Sequence, residues 1–176
     1  SGAGPVTFTG LNNYSGGTTV DTGSKLIGTT DSLQGAFTNN GAVQFDQATT
    51  GTYSGNMSGI GNVQISGGAT ITFSGLNTYA GGTTVDLGST LIGTTDSLQG
   101  AFTNNGSVQF DQLTAGSYSG NMTGTGNVEI SGSGPVTFSG SNSYSGGTTV
   151  DVGSTLIGTT SSVQGAITNA GAVQFN

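Results

Sequence analysis

Eight carboxylates are the only side chains here suited to general acid–base work or hard-metal ligation near neutral pH, and there is no His or Cys. Two carboxylates suffice to hydrolyse a glycosidic bond. Seven of these eight, however, are copies of one another: Asp21, Asp86 and Asp151 lie 65 residues apart, as do Asp31 and Asp96, and Asp46 and Asp111. An active site is normally unique, so recurrence points to structure. A polysaccharide lyase would need a base and cationic partners for its substrate, and Lys25 is the only basic residue. Asp21-Thr22-Gly23 matches the aspartic protease tripeptide. Its copies read Asp86-Leu87-Gly88 and Asp151-Val152-Gly153, which suits a turn whose Asp side chain bonds nearby backbone N–H groups. Calcium favours carboxylates and carbonyls, but the nonapeptide glycine–aspartate repeat that would signal it is absent. The expectation is no catalytic residue, no metal ligand, no cofactor and no small-molecule substrate. A glycan-active enzyme is the remote alternative.

Two other groups of residues repeat. Tyr14, Tyr79 and Tyr144, with Tyr53 and Tyr118, could line a surface ladder for glycans or for self-association; the plainer reading packs each ring over a Gly-Gly turn with its hydroxyl in solvent. The threonine pairs Thr18-Thr19 and Thr29-Thr30 resemble ice-binding residues, yet such pairs return only once or twice per repeat. They read as strand and turn threonines.

Composition narrows the partners. Charged residues are 5% of the 176-residue chain, and the net charge is −7. One lysine cannot neutralise a run of phosphates, so nucleic acid is excluded as a partner, and an anionic membrane surface is disfavoured for the same reason. No apolar run reaches the roughly 18 residues that span a bilayer as a helix. No leader is visible at Ser1, so an export signal is expected outside the sequence. Low hydrophobicity can mean disorder, but Val, Ile, Phe, Tyr and Thr fall in regular places and the chain repeats over long distances, the mark of a stacked architecture.

What must position all these residues is a repeat. LIGTTDSLQGAFTNNG at 26–41 recurs unchanged at 91–106, and 156–171 reads LIGTTSSVQGAITNAG. The units run approximately 4–66, 67–131 and 132–176, the last incomplete, as in a piece of a longer array. Within them the strands alternate with period two, as in Val43-Gln44-Phe45 and Ile71-Thr72-Phe73, and Gly/Asn turns separate them. Val20, Phe37, Met57 and Val85 step by 17, 20 and 28, as do Leu26, Val43, Val63 and Leu91. These steps predict three coils per repeat, the longest carrying an extra strand at 71–73. No coil can bury its few apolar residues alone, so coils should stack about 4.8 Å apart, about eight of them in a rod on the order of 40 Å long. The expected core is Phe8, Phe73 and Phe138; Val20, Val85 and Val150; Leu26, Leu91 and Leu156; and Phe45, Phe110 and Phe175. An antiparallel sandwich or roll is the runner-up fold, though nothing in it requires repetition.

SGLNTYAGGTTVDLGSTLIG at 74–93 and its copies TGLNNYSGGTTVDTGSKLIG and SGSNSYSGGTTVDVGSTLIG resemble the passenger-associated transport repeat of bacterial autotransporters. That resemblance implies an all-β, right-handed parallel β-helix. It implies a passenger exported from Gram-negative bacteria through an outer-membrane β-barrel at its own C-terminus, and a repeat that assists folding and transport. Low charge and the lack of Cys suit a chain threaded unfolded through a pore. The expected function is therefore an extracellular stalk on the outer membrane, covalently continuous with such a barrel. An adhesive surface, for a host molecule, a glycan or a second copy, is the alternative. Cut ends would expose unpaired strand edges and favour end-to-end association.

Overall fold

Alternation puts Val43 and Phe45 on one side of their strand and Gln44 on the other, and a single strand cannot hide that apolar side. In a computed structural model, which describes residues 4–176, it is hidden by winding: every strand pair is parallel, no helix is present among the described residues, and the turns stack into a β-solenoid of about eight turns. Each turn contributes a short strand or strand-like segment to each of three faces. The first face is the seven-stranded sheet Val6–Thr7, Lys25–Gly28, Ala42–Asp46, Asn62–Ser66, Thr83–Val85, Phe102–Asn104 and Met122–Thr123. The second is also seven-stranded and runs from Gly51–Tyr53 through Thr70–Phe73, Thr90–Gly93, Ser107–Asp111, Asn127–Ser131 and Thr148–Val150 to Ile167–Asn169. The third holds two sheets, Thr18–Val20 to Met57–Ser58 below and Gly116–Tyr118 to Ala172–Phe175 above. Asn77, bridged to Met57, and the 95–100 loop carry this face between them.

Register along the first face gives the height of a turn. Leu26 pairs with Val43, Val43 with Val63, and Val63 with Thr83, advances of 17, 20 and 20 residues. Three turns after Leu26 the chain is therefore at Thr83, and Leu91 lies one strand further on. Leu91 stacks between Ile71 and Val108 on the second face, and Leu156 lies between Val136 and Val173 on the third. A 65-residue repeat thus makes three turns and one third. Successive repeats place the same residue on successive faces, rotated by about 120°.

This corrects the columns expected from spacing. The 28-residue step is not one long coil, because Val63 meets Thr83 rather than Leu91. The strand at Thr70–Phe73 is no insertion; it is the ordinary second-face strand of its turn. Val20 pairs with Asn39, whereas Phe37 pairs with Thr18. Phe8, Phe73 and Phe138 do not share a column: Phe8 N–H donates to Ile27 on the first face, Phe73 pairs with Tyr53 on the second, and Phe138 with Tyr118 on the third.

Inside the prism, side chains form one continuous apolar core. Val20, Val85, Val150, Leu26, Leu91, Leu156, Phe45, Phe110, Phe73 and Phe138 are buried in it, and Phe8 is half-buried at its lower end. Phe175 is the exception among the expected core residues. It is 53% exposed, because it lies on the last turn and is covered only from below. Phe37, Phe45, Tyr53 and Phe73 form an aromatic quartet with ring centroids 5.2–5.9 Å apart. Phe102, Phe110, Tyr118 and Phe138 repeat it with the same spacing. In each quartet the fourth ring comes from the next repeat, so the quartets tie repeats together. Edge-to-face contacts of this kind add about 0.5–1.5 kcal/mol each beyond area burial.

Candidate functional surface

The three Asp-x-Gly-Ser segments make the corner turns after Val20, Val85 and Val150. In each, the Ser N–H donates to the Asp backbone carbonyl at 2.9–3.0 Å, and the Gly adopts φ of 80–84°. The turn is closed by the Asp carbonyl, not by its carboxylate as the sequence suggested. The Asp86 carboxylate instead accepts from Gln64 Nε2 of the turn below at 2.8 Å. Asp46 accepts from Ser66 Oγ at 3.0 Å and Asp111 from Ser131 Oγ at 3.4 Å. Asp31 and Asp96 are exposed in the corner loops. Among the described residues no three carboxylates come together in a group that could hold a metal ion.

One carboxylate breaks the pattern. Glu129 occupies the place that Gln64 has one repeat earlier. Gln64 donates to Asp86, but an ionised Glu129 cannot donate to Asp151. The carboxyl of Glu129 is raised above its ordinary value, first by burial and then by the charges of Asp151 and Asp111 and a hydrogen bond to Asp151. A carboxyl raised on folding contributes its stability in acid and loses it as pH climbs through the folded value. Glu129→Gln should therefore stabilise the rod at neutral pH and not in acid. Because the group is only partly buried, the gain is a few tenths of a kcal/mol, measurable as a shift of the urea midpoint at the two pH values.

The tyrosines are buried props, not a ladder on the surface. Tyr79 and Tyr144 are each 3% exposed, with the hydroxyl 2.6 Å from Thr83 or Thr148 Oγ1. Tyr14 is half-buried and accepts from Thr18 Oγ1 at 2.9 Å. Tyr53 and Tyr118 donate to the carbonyls of Gly35 and Gly100 at 2.9 and 2.8 Å. The hydroxyls thus bond within the rod instead of facing solvent. Burial pushes Tyr79 up to about 12, with the Thr83 hydroxyl pulling slightly the other way, and raises Tyr53, Tyr118 and Tyr144 likewise. Phenolate absorbance on alkaline titration should therefore show these four still neutral at about pH 10, the ordinary tyrosine value. The stability they confer is whole below that pH and lost as pH rises through their raised values, so their ionisation should coincide with loss of β circular dichroism.

Asn and Thr on successive coils are expected from the sequence to hydrogen-bond along the stack, and the asparagine of the repeated G-x-N-x-Y-x-G-G-T-T-V string, not singled out there, does so. Asn77 is 1% exposed; its Oδ1 accepts from Met57 N–H of the turn below at 2.9 Å and its Nδ2 donates to Ser97 C=O of the turn above at 2.9 Å. Asn142 pins Met122 and Ser162 in the same way, at 2.8 and 2.6 Å. The signal was present as an Asn recurring two residues before each Tyr.

These geometries place three of the string's four polar letters: Asn joins three turns, Tyr is buried, and the first Thr holds the Tyr hydroxyl. The passenger-associated-transport-repeat matches residues 1–24, 61–92 and 121–157, just over half of the chain. The chain belongs to the passenger-associated-transport-repeat family. No curated protein and no solved structure matches it. In this family member the string's Asn serves the stacking of turns, and family and fold together fit a structural segment of an autotransporter passenger.

What the rod offers to solvent is flat and weakly charged. Thr84, Thr103 and Thr123 stand in single file on three consecutive turns of the first face, and Gln64, Gln44 and Ile27 continue the file below them. A corner groove of about 400 Å³ lies between the first and second faces, lined by Ser, Thr, Asn and Gly around Leu87. Leu76, Leu87, Leu113 and Val152 project from corners, 60–84% exposed.

Proposed function

We propose that the chain is a β-helical stalk segment of an autotransporter passenger, displayed outside a Gram-negative cell, that helps the passenger fold during secretion and holds a distal region away from the outer membrane. The observation supporting this is the uninterrupted rotation of the repeat. Each unit adds three turns and a third without a loop leaving the rod, so length can be added without changing what the rod presents. The quartets supply a folding role, because Phe73 and Phe138 complete the aromatic cluster of the repeat before them. A chain emerging from a pore can thus lock one repeat as the next begins.

In-frame deletion of residues 67–131 tests both halves of the proposal in the full-length passenger. The stalk reading expects the shortened protein to keep its β circular dichroism and its surface display, with the rod shortened by roughly 16 Å at about 4.8 Å per turn. Loss of all β structure overturns it. The secretion half expects slower appearance of the passenger at the surface, and an unchanged rate overturns that half alone. An adhesive surface is the second reading, favoured by the projecting apolar corners.

A further inference from the structure

Rotation by one face per repeat has a consequence for the projecting side chains. Leu76, Leu113 and Val152 occupy different positions in the repeat, yet all three lie in turns leading from the second face to the third: after Thr70–Phe73, after Ser107–Asp111 and after Thr148–Val150. They fall on alternate turns of one corner, so their spacing is about 10 Å at about 4.8 Å per turn. They are 60%, 74% and 84% exposed. The turns between them carry exposed Asp96 and Ser133. The neighbouring corner, between the first and second faces, holds the groove. Its floor is the stacked glycines Gly106, Gly126 and Gly146, where a Cβ would strike the backbone of the turn beneath. Leu87 forms its lower lip. Thr90 and Thr125 line this groove, and the first repeat has Lys25 and Ile60 at the equivalent positions.

We propose that the Leu76–Leu113–Val152 row of one rod lies along the glycine-floored groove of a second copy of this chain. A straight row with a two-turn pitch is matched in register by a partner wound with the same turn height, which a second copy has. The groove spans turns of that height and its walls carry no charge, so apolar tips enter without stranding a carboxylate. Row and groove lie on different corners, so the contact is heterologous and extends into sheets of side-by-side rods instead of closing as a dimer. Three tips bury on the order of 300 Å², well under the roughly 1,000 Å² of a stable interface. One segment therefore associates weakly, and a longer array gains by multivalency.

Sedimentation velocity of the chain across roughly micromolar to millimolar concentration tests this. The wild-type chain should show a concentration-dependent rise in sedimentation coefficient that strengthens with salt, since added salt screens Asp96 and its neighbours. The Leu76→Ser, Leu113→Ser, Val152→Ser variant changes exposed residues alone and should associate at least tenfold more weakly. The Thr90→Lys, Thr125→Ile variant introduces residues the first repeat already accommodates, and should do the same by filling the groove. A wild-type chain that stays monomeric throughout overturns the proposal. So does association that survives either variant, which would point to stacking of rod ends. The stalk reading stands or falls separately, by the deletion.

Discussion

Phe110→Ala should lower the stability of the rod by about 3–5 kcal/mol, the range for removing a fully buried aromatic ring. Phe110 is 0% exposed, and its centroid lies 5.2 Å from Tyr118 and 5.3 Å from Phe138. Truncation opens a cavity in a core only one side chain deep, and the turns above and below cannot close it without breaking their ladders. A loss of that size corresponds to a melting point lower by roughly 10 °C for a domain of this length. Phe175 supplies the internal control. It has the same place in the repeat but is 53% exposed, so Phe175→Ala should cost less than about 1 kcal/mol. Thermal and urea melts followed by circular dichroism make the comparison; equal losses at the two positions would contradict the buried quartet.

Asn77→Ala should cost about 2–5 kcal/mol by a different route. The side chain satisfies Met57 N–H and Ser97 C=O, both away from water, and each orphaned buried group costs about 1–3 kcal/mol. Little apolar area is lost, so the defect is polar and local. Hydrogen exchange should show the Met57 amide losing protection first, while the quartet of Phe102, Phe110, Tyr118 and Phe138 one repeat away keeps its own. A urea midpoint unchanged by the substitution would contradict the pinning role.

Much of this architecture was legible in the sequence, and the errors have one cause. Period-two alternation identified the strands, and the pairing of Leu26 with Val43 and of Val43 with Val63 follows from their spacing. Aligning Leu26 with Leu91 and Phe8 with Phe73 compared residues of equal sequence, which in a solenoid are not residues of equal angle. Only the turn height decides what stacks, and 65 residues is not a whole number of turns of 17–20. The TTDSLQG segments and the third copy TTSSVQG hid one rung per repeat, because each crosses one face, the second, third and first in turn, as a loop closed on itself. Leu98 N–H donates to Thr94 C=O at 2.8 Å, and the Ser97 hydroxyl accepts from Thr94 N–H at 2.9 Å. No alternation marks such a rung. The buried tyrosines and asparagines were hard to place because their polar atoms suggest surface; partners one turn away satisfy the asparagines, Tyr53 and Tyr118, and a threonine four residues on satisfies Tyr79 and Tyr144. The corner row of Leu76, Leu113 and Val152 could not be seen before the rotation was known, since its members come from unrelated positions in the repeat.

Each repeat winds three turns and a third, with Val63 under Thr83 and not under Leu91. The chain has no cysteine, so paired cysteines read the register directly. In the strand-by-strand pairing Gln64 lies beside Thr84, within the Cα separation of about 4.4–6.8 Å that a disulfide spans. The Gln64→Cys, Thr84→Cys variant should form an intramolecular disulfide on mild oxidation, and the Gln64→Cys, Ile92→Cys variant should not. A disulfide in the second variant and none in the first would mean three whole coils per repeat, and the rotation would be wrong.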